Sequence, residues 1–72
     1  MERYLNKRGN SSVEAYVIGD NYIDVKFLNS TKIYRYSPKN ANNNMVGYMK
    51  HLARKGIGLN RFIKKYANNA YD

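Results

Sequence analysis

The sequence predicts an α+β domain, a three-stranded antiparallel sheet followed by two short helices packed on one face. Three observations predict it. Hydrophobic alternation of period two runs through residues 11–37, interrupted twice by turn chemistry. Pro38 and an asparagine-rich run then close that region. Beyond it, apolar residues recur at helical spacing on both sides of a Gly56-Ile57-Gly58 break.

Each element has its own signal. Residues 11–19 alternate around Val13, Ala15 and Val17, and Gly19-Asp20-Asn21 supplies turn residues, so a first strand ends in a hairpin. Residues 22–28 put Ile23, Val25 and Phe27 on one face and Tyr22, Asp24 and Lys26 on the other, the pattern of a half-buried strand. Asn29-Ser30-Thr31 turns the chain again. Residues 32–37 place Tyr34 and Tyr36 on one side of a third strand, completing a meander.

After Pro38 the polar run 39–44 is a loop, with an N-cap expected at Asn43 or Asn44. From residue 45 to 55, Met45, Tyr48, Met49, Leu52 and Ala53 form one apolar stripe, while Lys50, His51, Arg54 and Lys55 share the opposite, cationic side. Gly56 is the expected stop of this helix. Asn60 is the expected cap of a second helix that turns Phe62, Ile63 and Tyr66 inward and Arg61, Lys64 and Lys65 outward. Residues 1–10 show no period and read as an N-terminal arm or a short pairing segment. Residues 11–72 make one domain, without internal repeats.

A chain of 72 residues hides only about 60% of the surface its unfolded form exposes, so its core is small. Cysteine is absent, and one histidine with five scattered acids makes no structural metal site. Homo-oligomerisation is therefore expected as a source of further burial. With no cysteine, leader or long apolar run, the expected location is the cytoplasm, with no membrane partner. The abundance of Asn, Lys, Tyr and Ile suits an AT-rich bacterial or phage coding sequence.

Charge is unevenly placed. Glu2, Glu14, Asp20 and Asp24 roughly cancel Arg3, Lys7 and Arg8, whereas residues 25–71 hold ten cations and no acid. Such a one-signed stretch points to an anionic ligand, because a surface that is merely solvated mixes its signs.

The order Val25-x-Phe27, Tyr34-x-Tyr36, Leu52-Ala53, Gly56, Asn60, Ile63, Tyr66 resembles the KTSC domain, over roughly residues 11–66. That family is named from a C-terminal segment of some lysyl-tRNA synthetases and includes free-standing bacterial and phage proteins. Arg54 stands where the pattern has Ser, and Gly58 where it has an aromatic; both differences open the region and make it more basic. The resemblance implies the fold. It bears on function only through its link to a tRNA enzyme.

The strongest local candidate for chemistry is the segment Arg54-Lys55-Gly56-Ile57-Gly58-Leu59-Asn60-Arg61, where glycines free backbone amides ahead of a helix N-terminus and cations flank them. A helix stop followed by a plain turn is the structural alternative. Lys50 and Arg35 complete the expected phosphate ligands. Tyr22 and Tyr36, beside Arg35, are the expected base-stacking residues, although most tyrosines must serve as core in a chain without tryptophan. Catalysis is poorly supplied. His51 is the one side chain of a type that ordinarily titrates near neutrality, no thiol exists, and no acid within the basic stretch could hold a metal. A basic RNA-cleaving toxin using His51, Lys50 and Arg54 is the one enzymatic reading left. The leading expectation is non-enzymatic, without cofactor or metal. By analogy it is a phage anti-defence protein sequestering a cyclic-nucleotide or ADP-ribose type immune signal; alternatives are an RNA- or DNA-binding domain, or an inhibitor docking on an acidic host protein.

Overall fold

A computed structural model describes residues 1–72. Its elements are β1 (Glu2–Arg3), β2 (Val13–Ile18), β3 (Ile23–Phe27), β4 (Ile33–Tyr36), α1 (Asn43–Lys55) and α2 (Leu59–Tyr66). The sheet is antiparallel in the order β1-β2-β3-β4, so it has four strands rather than the three expected. The extra strand comes from the supposed arm: Glu2 pairs with Tyr16 and Arg3 with Ala15. Tyr4, the next residue, is in the core. Two residues are too few to show a period, which is why composition alone left them unassigned.

The sheet's inner face is set by register. Ile23 lies opposite Tyr36 and Val25 opposite Tyr34, so the alternation read for β3 and β4 holds. In β2 it does not. A bulge between Val13 and Ala15 leaves Glu14 as the extra residue and shifts the phase, so that Val13 and Tyr16 point inward instead of Val13, Ala15 and Val17. Glu14 then reaches Lys26 on the outer face, which holds the Glu14 carboxyl below its ordinary value through the hydrogen bond and then the charge of Lys26.

α1 is capped by Asn42, one residue before the expected positions, its side chain accepting from the Met45 N–H at 2.8 Å. The helix buries Val46, Met49, Leu52 and Ala53. Tyr48, assigned to the apolar stripe by spacing, is 51% exposed, because Val46 takes the inward position at the sheet end of the helix. α2 buries Leu59 and Ile63 and leaves Tyr66 60% exposed. These inner residues meet Ile23, Val25 and Tyr36 in one core.

The tail folds back. Ala67 is buried, the Tyr71 ring packs edge-on against Tyr34 at 4.9 Å, and the Asp72 N–H donates to the Arg35 carbonyl at 2.7 Å. The Ser37 hydroxyl donates to the Asp72 carboxylate at 2.7 Å. No helix is long and apolar enough to cross a membrane.

Candidate anion-binding site

The junction of the two helices is built by two glycines in the left-handed region, Gly56 at φ 77° and Gly58 at φ 84°. Gly56 ends α1 as expected, its N–H returning to the carbonyls of Leu52 and Ala53 at 2.9 and 3.2 Å. Gly58, not Asn60, takes the cap position of α2. Asn60 lies inside the first turn, and its side-chain oxygen accepts from the Ser12 hydroxyl at 2.8 Å, tying α2 to the approach to β2.

The segment after β1 forms the second wall. Lys7 donates its N–H to the Gly56 carbonyl at 2.8 Å, and the Tyr4 hydroxyl accepts from the buried Leu59 N–H at 3.2 Å. Ser11 donates its N–H to Asn6 Oδ1 at 3.1 Å, which folds residues 6–11 into a compact turn. Between this turn and the helix junction lies a cleft of about 440 Å³. Arg8, Arg61, Lys64 and Lys65 line it together with Asn6, Asn10, Asn60, Gly56 and Gly58, and no acid is among the lining residues.

Part of the expected site is thus assembled and part is not. Gly56, Gly58, Asn60 and Arg61 share the cleft. The amides of Gly56, Ile57 and Leu59 already bond within the protein, so the glycine turn cannot present a full row of N–H groups to an anion; the first-turn amides of Asn60 and Arg61 make no such bond. Arg54 lies apart, in a shallow hollow with Glu2 and Tyr16. Lys55 belongs to a neighbouring groove considered below. Lys50 is engaged in holding the β2–β3 hairpin, its Nζ donating to the carbonyls of Gly19 and Asp20 at 2.8 and 3.1 Å.

The sheet residues are placed elsewhere. Arg35 makes a paired contact with Asp24 at 2.8 and 3.0 Å, which raises its already high pKa through that hydrogen bond. It also covers the Tyr22 ring at 3.8 Å. Tyr22 is therefore occupied by a cation of its own chain, and Tyr36, at 2% exposure, has no face for a base. The two stacking assignments are corrected for different reasons: Arg35 itself covers Tyr22, whereas Tyr36, next to Arg35 in β4, points to the opposite, buried face. Glu14 and Asp24 also show that the acids of the first third of the chain neutralise Lys26 and Arg35 across strands. Lys55, Arg61, Lys64 and Lys65 of the helices and Arg8 of the turn after β1 have no such partner.

Sequence reasoning missed Arg8, Lys64 and Lys65 as cleft residues and missed a row of rings. Tyr48, Phe62 and Tyr66 stand side by side, with centres 5.1 and 5.2 Å apart between neighbours, and His51 lies 6.1 Å from Tyr48. Only the high exposure of Tyr48 and Tyr66 separates this row from core, and helical spacing alone does not report exposure.

No family model, curated protein or solved structure matches the chain.

Proposed function

We propose that this protein binds a nucleic acid through its phosphates and does not turn it over. The observation that carries the reading is the cleft in which Arg8, Arg61, Lys64 and Lys65 converge without an acid. Four cations around one open hollow repel one another unless an anion sits among them, so the arrangement favours a ligand bearing phosphate. Ile57, Gly58, Arg61 and Lys65 line both this cleft and the next groove, so the two adjoin. Cations lining two adjoining hollows suit a polymer better than a single small molecule. The resemblance to the KTSC domain, with its link to a tRNA enzyme, agrees with this reading.

Capture of a single nucleotide, as by a phage protein that sequesters an immune signal, is the second reading. The cleft volume of about 440 Å³ favours it, since small-ligand pockets run from about 300 to 1,000 Å³. Such a pocket would need closing by a second copy of the chain.

The test is a titration of the purified protein with short oligonucleotides and, separately, with cyclic nucleotides and ADP-ribose. Arg61→Ala with Lys64→Ala is expected to weaken oligonucleotide binding by about tenfold or more while the far-UV circular dichroism is unchanged, both side chains being exposed. Wild-type affinity in that double variant removes the cleft from the function. Micromolar binding of a nucleotide with no oligonucleotide binding transfers the function to the second reading.

A further inference from the structure

Beside the cationic cleft lies a groove of about 510 Å³ whose floor is aromatic. Tyr48 projects from α1 and Tyr66 from the last turn of α2, and the half-buried Phe62 is wedged between them. Tyr48 and Tyr66 are 51% and 60% exposed. Large rings in a core of this size would contribute most by being buried, yet these two stand outward and are held in place by a third ring. Lys55, Arg61 and Lys65 surround them, with no acid in the groove. Lys65 Nζ lies 5.4 Å from the centre of the Tyr66 ring.

We propose that this groove stacks the unpaired bases of single-stranded RNA while the neighbouring cleft holds its phosphates. The proposal rests on the nucleic-acid reading above and specifies the form of the strand. A base in a duplex has both faces covered by its neighbours and cannot reach a ring on a protein surface, whereas an unpaired base can. Arg61 and Lys65 border both hollows, so a backbone lying along them reaches the cleft on one side and directs bases to Tyr48 and Tyr66 on the other. The cleft also carries Asn10, and Asn6, Ser11 and Asn60, whose oxygens accept within the protein but whose amide and hydroxyl protons are left to donate to a ribose 2′-hydroxyl, a set that favours RNA over DNA. A second copy of the chain is a poor occupant. A two-fold contact would set Lys55, Arg61 and Lys65 against the same residues of the partner.

The experiment measures anisotropy of a labelled single-stranded RNA, the DNA strand of the same sequence and the RNA duplex, with sedimentation velocity of the free protein. Tyr48→Ala with Tyr66→Ala is expected to weaken single-strand binding by about tenfold or more, to leave the salt dependence unchanged and to abolish the quenching of tyrosine emission on binding, while Tyr48→Phe with Tyr66→Phe keeps near wild-type affinity. Arg8→Ala with Lys64→Ala, which alters the cleft and leaves the aromatic groove intact, is expected to weaken binding and to flatten the salt dependence. If the cleft variant loses affinity and the aromatic variant does not, the phosphate reading stands and the stacking proposal is overturned. Equal or tighter binding of the duplex or of the DNA strand overturns it as well. A wild-type dimer that the aromatic variant converts to monomer assigns the groove to self-association and overturns it too. If neither strand form binds at all, the underlying nucleic-acid reading falls.

Discussion

Tyr16 and Tyr36 lie in the core, and each has a hydroxyl that burial holds in its neutral form. For Tyr36, burial first and then the neighbouring Tyr34 and Tyr71 push the pKa from 10.0 up to about 12. For Tyr16 burial acts first and the hydrogen bond to Glu2, at 2.7 Å, second, with the same result of about 12. Below pH 10 these groups are protonated in folded and unfolded chains alike, and their contribution to stability is fully present. Between about pH 10 and pH 12 the unfolded chain releases protons that the folded one retains, so stability falls as pH rises. Urea midpoints measured across this window should drop, and Tyr36→Phe should make the drop smaller. An identical drop in that variant would mean that Tyr36 has no part in alkaline unfolding.

At the scale of elements, the joint between α1 and the turn after β1 depends on Gly56. A Cβ there would stand 2.6 Å from Leu5 Cβ, at a backbone φ of +77° that side chains disfavour. Gly56→Ala is expected to cost about 1–3 kcal/mol in urea unfolding. In a Leu5→Gly background, which lacks that Cβ, the same substitution should cost only about 1 kcal/mol, the share of the backbone conformation. A cost that is the same in the Leu5→Gly background would show that contact with Leu5 has no part in it. The same joint shows what was legible beforehand. Gly56 announces a helix stop because few other residues adopt its φ, and the turns around Gly19 and Asn29 announce the three longer strands. β1 was not legible, since Glu2 and Arg3 become a strand only by meeting Ala15 and Tyr16. The phase of β2 was hidden by the bulge at Glu14, which sequence alternation cannot register. In the candidate site Gly56, Gly58, Asn60 and Arg61 were legible as a local run. Arg8 was not, because only tertiary folding brings it across from the other wall. Tyr48 and Tyr66 were assigned inward by spacing, and the narrow buried faces of α1 and α2 left them out.

For the whole molecule, two groups of cations stand out within the formal net charge of +8. Lys26 and Arg35 are paired with acids on the outer face of the sheet, while Arg8, Arg61, Lys64 and Lys65 gather unpaired at the helix junction. The second group, with Lys55 in the adjoining groove, is the one placed to meet a polyanion. Binding of a single strand should therefore lose affinity with salt with a log–log slope of about −0.7 for each phosphate neutralised, reaching roughly −3 for a strand that engages all four. A slope near zero would contradict a polymeric ligand. The chain's ends shape the molecule on a different account. β1 occupies one rim of the sheet with two residues, and Asp72, bonded to the Arg35 carbonyl, covers part of the other. An open rim is a template on which neighbouring molecules add strands and grow into fibres. With one rim reduced to two residues and the other partly covered by Asp72, this small sheet offers a neighbouring molecule little edge on which to add a strand.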